Sequence, residues 1–130
     1  MASVSIHTEG SGENLVCGEC ELADTPLKRL RGLLGRGGLT RGEGILLRPA
    51  PAIHTWFMRF PIDAVFVARN LEVVAVCEEV RPWRFARAKG AHSVIELAAG
   101  ECRRLGITAG DRLTLAERSS PPELNLAQHG

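Results

Sequence analysis

With 130 residues, 45% hydrophobic and 24% charged, the chain fits a single soluble domain that can bury a core without disulfides or metals. Sixteen basic against fifteen acidic residues leave a net charge of +1, so no global field draws nucleic acid or an anionic membrane. Aromatics make up 5% with no tyrosine, which argues against a stacking platform for single-stranded nucleic acid, and no run approaches the roughly 18 apolar residues of a membrane span.

The N-terminus has no basic start and no apolar core, so no secretory signal is read and the expected compartment is the cytoplasm. Residues 1–13, ending Glu9-Gly10-Ser11-Gly12-Glu13, read as a flexible arm, at best an edge strand with Val4 and Ile6. Asn14 to Ala23 reads as a strand carrying the C-x-x-C of Cys17 and Cys20. Alternation along a strand puts these two on opposite faces. With no second C-x-x-C they are expected to be small core or surface residues, with zinc and redox roles as the alternatives.

Asp24-Thr25-Pro26 is a helix start, with Thr25 as N-cap and Pro26 at the first helical position. Leu27, Leu30, Leu33 and Leu34 then form an apolar stripe that ends at Gly35 and Gly37-Gly38. Gly44 to Leu47 is a short apolar strand, and the prolines of Arg48-Pro49-Ala50-Pro51-Ala52 make the next segment a rigid loop. Ile53 to Phe60 is extended, Pro61 interrupts it, and Ile62 to Ala68 is a buried strand. Arg69-Asn70 turns into a second β-rich run, Leu71 to Cys77, and the pair reads as a hairpin.

Glu78 to Ala91 is a polar, basic connection, and Ser93 to Leu97 is another strand. Glu101 to Ile107 suits a short helical turn, Arg112 to Ala116 is the last strand, and residues 119–130 read as a disordered tail. Many short strands against one helix predict a mainly-β fold, an antiparallel sandwich or barrel with one helix in the N-terminal half. The expected domain spans residues 14–118.

Four stretches carry a resemblance to a known family. Arg31-Gly32-Leu33-Leu34 resembles R-x-G-L-M, and Gly44-Ile45-Leu46-Leu47 resembles G-M-L-F. Phe60-Pro61-Ile62-Asp63-Ala64-Val65-Phe66 resembles I-P-L-D-I-x-F. Leu97-Ala98-Ala99-Gly100 followed by Gly110-Asp111 resembles L-E-x-x-A-G and G-D. These patterns, in this order, are those of DUF192, also called UPF0127, an uncharacterised bacterial and archaeal family. The family commonly carries W-M-x-N-T before I-P-L-D, whereas His54-Thr55-Trp56-Phe57-Met58 stands here. The resemblance implies a jelly-roll-like domain and no activity.

The stretch from Ile53 to Val67 is the most apolar of the chain, yet it holds His54, Arg59 and Asp63, which need partners near a core. One reading has Asp63 accept backbone N–H groups at the turn after Pro61. The other has it face a cleft, binding substrate or orienting Arg59 or His54. Arg31, beside Gly32, either pairs with Asp63, binds an anion or lies on a solvated helix face. Arg81 to Lys89 interleaves four basic residues with Trp83 and Phe85. The expected arrangement there is a polar loop whose two aromatics pack back onto the core, with an RNA patch or a lid beside Trp56 as alternatives.

The function expected first is the binding of a small ligand, with anions among the candidates, in a cleft near Pro61-Ile62-Asp63, through Arg31, His54, Trp56, Arg59 and Asp63. The alternatives are an enzyme using His54 and Asp63 as acid and base, and a structural or protein-interaction module. No metal, cofactor, nucleic acid or membrane partner is expected, and a monomer is the default.

Overall fold

The computed structural model describes residues 3–9, 15–23, 38–55 and 58–118. The helix expected from Thr25 onward and the tail after residue 118 lie outside the described residues. The described elements are β1 (Ser3–Thr8), β2 (Leu15–Ala23), β3 (Glu43–Leu47), β4 (Ala52–His54), β5 (Ile62–Val67) and β6 (Val73–Val80). β7 (Phe85–Arg87), β8 (Ser93–Ala98), the short helix α1 (Glu101–Leu105) and β9 (Leu113–Arg118) follow. Seven strands form one sheet in the order β6-β5-β8-β3-β2-β1-β9, and β4 and β7 pair separately. Its pairings are antiparallel except for β2 with β3.

The fold is mainly β, as expected, and the long sheet curls into a half-barrel. The curl brings its two outer strands together at one end. The Val73 N–H donates to the Asp111 carbonyl at 2.7 Å, the Gly110 N–H to the Val73 carbonyl at 2.8 Å, and the Leu113 N–H to the Leu71 carbonyl at 2.9 Å. These bonds satisfy main-chain groups that an open sheet would leave on bare edges.

β5 is buried on both faces, which explains why its sequence is almost continuously apolar. Val65 and Val67 point into the half-barrel, where they pack with Val4, Ile6, Ile95 and Leu97. Ile62, Ala64 and Phe66 point outward into a second cluster with Ile45 and Val94, covered by Ile53 and Met58. The expected hairpin of β5 and β6 is present.

Two expectations change. The first residues are not a loose arm or an edge strand: β1 is hydrogen-bonded to β2 on one side and β9 on the other, with Val4 and Ile6 wholly buried. Nor do Cys17 and Cys20 face opposite ways. Val4 pairs with Cys20 and Ile6 with Cys17, so three steps along β2 oppose two along β1. This bulge cancels the alternation and turns both free thiols into the same core cluster. A hydrogen bond with Cys17, together with burial, pushes the Cys20 thiol far above its ordinary value. It is held as a protonated core group.

Gly44 lies where β3 has no room for a side chain. A Cβ there would lie 2.9 Å from the Glu96 carbonyl oxygen, 2.9 Å from a Leu97 methyl and 3.1 Å from the Cys17 sulfur. The backbone oxygen cannot yield without disturbing the β3–β8 ladder. Gly44→Ala is therefore expected to destabilise the fold by about 1–3 kcal/mol, seen as a lower denaturant midpoint with an unchanged slope.

Candidate functional site

Asp63 has no exposed surface. A buried carboxylate is tolerable only when charge-assisted hydrogen bonds replace its water. One oxygen accepts the Glu79 N–H at 2.8 Å, and the other accepts the Gly100 N–H at 3.0 Å and the Cys102 N–H at 2.9 Å. Two of the partners have left-handed backbone, and the third, Cys102, lies in the first turn of α1. Glu79 has φ 51 in β6, where three residue steps oppose two on β5, and Gly100 has φ 96 just before α1. Gly100 offers no side-chain cap, so Asp63 caps the helix start from a neighbouring strand. Asp63 thus accepts main-chain N–H groups, but from β6 and α1, not at the turn after Pro61. Burial, and the Asp63 carboxylate beside it, push the Cys102 thiol well above its ordinary value.

On α1, the Glu101 carboxylate accepts two hydrogen bonds from the Arg104 guanidinium, at 2.6 and 2.9 Å. That fork holds the Glu101 carboxyl below its ordinary range, against the opposing effect of burial.

Among the described residues, the site expected from sequence reduces to His54, Arg59 and Asp63. Arg31 and Trp56 lie outside the described residues. His54 is exposed on β4, and Arg59 is exposed in the segment leading to β5. Among the described residues, main-chain N–H groups of Glu79, Gly100 and Cys102 donate to Asp63, while His54 lies exposed on β4.

A hollow of about 130 Å³ opens at the other end of β5. Its floor is apolar: Leu46, Val67 and Ile95 from inside the half-barrel, with Leu71 and Leu115 across from them. Its polar lining comes from places where the chain leaves or joins the sheet. Arg48 follows β3, Arg69 follows β5, and His92 and Ser93 begin β8. Register explains the meeting, because Leu47 pairs with Val94 and Val67 with Ser93, placing those three strand ends side by side. Main-chain bonds hold them there: the His92 N–H donates to the Val67 carbonyl at 2.8 Å and the Ala50 N–H to the His92 carbonyl at 2.8 Å. Among the described residues, no carboxylate lines the hollow. Leu71, on its wall, sits at φ 70, a conformation costly for a branched side chain. Sequence reasoning missed this group because its members lie far apart in the chain and in no motif.

The loop between β6 and β8 also departs from expectation. Trp83 and Phe85 do not pack back onto the core; they are 57% and 62% exposed.

Comparison with known proteins agrees with this fold. The family model DUF192, described as "Uncharacterized ACR", matches residues 6–115. A UPF0127 protein of Thermococcus sibiricus is 34% identical over 113 residues, covering 81% of this chain and 73% of its own. One from Pyrococcus furiosus is 33% identical over 103 residues, covering 73% and 84%. Among solved structures, a protein of unknown function from Novosphingobium aromaticivorans superposes with a TM-score of 0.73 at 24% identity, covering 85% of this chain and 83% of that one.

Two outcomes test the roles of the carboxylates. Asp63→Ala leaves one buried and two part-buried donors unpaired and is expected to cost about 3 kcal/mol in chemical unfolding. Asp63→Asn keeps one accepting oxygen and is expected to cost less than Asp63→Ala. For Glu101, whose folded carboxyl titrates below its unfolded value, the ion pair contributes stability above about pH 4.3 that is lost as pH falls through the folded-state value. Glu101→Gln is expected to lower the thermal midpoint at neutral pH and to flatten its acid-side decline below about pH 4.3.

Proposed function

The chain belongs to the DUF192 (UPF0127) family, and since that membership brings no activity with it, we propose from the site's chemistry that this is a small-ligand-binding domain for anionic molecules. The observation that carries the proposal is the hollow at the mouth of the half-barrel, where Arg48, Arg69 and His92 surround an apolar floor and, among the described residues, no carboxylate joins them. A guanidinium fork matches the two oxygens of a carboxylate or the face of a phosphate. The apolar floor favours a ligand with a short hydrocarbon portion beneath its charged head. A volume of about 130 Å³ limits that portion to a few carbons. The ligand class is the one expected from sequence, but the site moves from the Pro61-Ile62-Asp63 end of β5 to its Val67 end. Asp63 then serves the site indirectly, by fixing the opposite end of the same strand.

The reading is tested by thermal shift with inorganic phosphate and with a series of short straight-chain carboxylates. A carboxylate of a few carbons is expected to raise the unfolding midpoint, approaching about 2.7 kcal/mol of stabilisation at a hundred times its Kd. Arg48→Ala with Arg69→Ala is expected to abolish that shift while leaving the ligand-free midpoint within a few degrees. A shift that survives both substitutions, or no shift across the series, overturns the reading.

A further inference from the structure

β4 and β7 form a two-stranded sheet in which Ile53 pairs with Ala86 and His54 with Phe85. Ile53 and Ala86 face the core, so alternation turns the other set outward: His54, Phe85 and Arg87 are all exposed. The preceding loop adds exposed Arg81, Trp83 and Arg84. From Arg81 to Lys89 there are four cations and no acid, although the whole chain carries only +1. The acidic residues just before it, Glu78 and Glu79, are exposed, and Glu78 lies 3.7 Å from Arg103 of α1.

The loop is held firmly. Thr55 is wholly buried, and its N–H donates to the Arg84 carbonyl at 2.8 Å. Its carbonyl accepts the Trp83 N–H at 2.9 Å, its hydroxyl oxygen accepts the Arg84 N–H at 2.8 Å, and its hydroxyl also donates to the Arg81 carbonyl. These bonds keep Trp83 at φ 63, a conformation a bulky residue rarely adopts. An aromatic fixed in a costly conformation and still 57% exposed fits a surface built for a partner.

We propose that the exposed face of β4 and β7, with Trp83 beside it, binds single-stranded nucleic acid. Bases stack on the rings of Phe85 and Trp83, and Arg84, Arg87 and Lys89 pair with phosphates. The arrangement favours nucleic acid over a lipid surface because Phe85 and Arg87 alternate onto one sheet face, with exposed His54 opposite Phe85. Stacking surface and cationic donors therefore share a plane, whereas membrane insertion needs aromatic tips that reach beyond the cations. The surface is separate from the anion hollow, and the two proposals stand or fall independently.

Fluorescence anisotropy with a labelled, mixed-sequence single strand at low salt tests this, with the matching duplex and phosphatidylglycerol vesicles as comparisons. The full chain is expected to bind the single strand more tightly than the duplex and not to sediment with vesicles. Phe85→Ala and Trp83→Ala are each expected to weaken binding about fivefold or more. Arg84→Gln and Arg87→Gln are each expected to lower the log–log salt slope by about 0.7. Phe85 and Arg87 are exposed, so their variants should keep the parent thermal midpoint, which stands as the check on folding if Trp83→Ala disturbs the loop. The proposal is overturned by absence of binding at low salt, by equal affinity for duplex, by binding that Phe85→Ala leaves unchanged, or by vesicle sedimentation without oligonucleotide binding.

Discussion

One buried carboxylate ties together three parts of the chain that no single pair of strands would join. Asp63 holds the N–H of Glu79 in the β6 bulge and those of Gly100 and Cys102 at the turn from β8 into α1. Burying that charge costs several kcal/mol unless strong donors replace its water. The donors in turn lie at a bulge and at a helix start, where the main chain has no ladder partner to offer them. Each side of the arrangement makes the other tolerable. The result is a rigid, closed end of the half-barrel, built around the first residues of β5.

The opposite end is organised differently. There the outer strands meet through the segments around Val73 and Asp111, which stops the sheet from splaying. Chain exits occupy that end, and they bring arginine and histidine with them. Arg48 follows the parallel-paired strand β3, while Arg69 opens the β5–β6 turn. A fold fixed at one end and hollow at the other sets the Asp63 cap and the cationic mouth at opposite ends of a single strand.

Much of the architecture was legible because apolar spacing controls it. The unbroken apolar run of β5, the hairpin after it, the short helix after Gly100 and the strand at Ser93 all follow from residue pattern and turn chemistry. β1 was not legible, since polar Ser3, Ser5, His7 and Thr8 hide the fact that Val4 and Ile6 carry the buried face. The cysteine faces were misjudged because a bulge breaks the two-residue period, and no local residue announced it. For Asp63 the kind of partner was legible and the partners were not, since they lie up to 39 positions away. The hollow was hidden for the same reason: strand register, not sequence proximity, assembles Arg48, Arg69 and His92.

The exposed aromatics follow from the same register argument. Along β7 only one of two alternating sets can face the core. Burying Ala86 against the cluster beneath, opposite Ile53, sends Phe85 and Arg87 outward. A slip of one residue would bury Phe85 but would turn Ile53 or its pairing partner toward water. Burial of apolar area alone would favour the larger aromatic ring inside. The register that displays it is held by Thr55, whose main-chain and hydroxyl bonds reach Arg81, Trp83 and Arg84 just before β7 begins. A buried threonine in the apolar centre of the chain thereby decides which residues the surface displays.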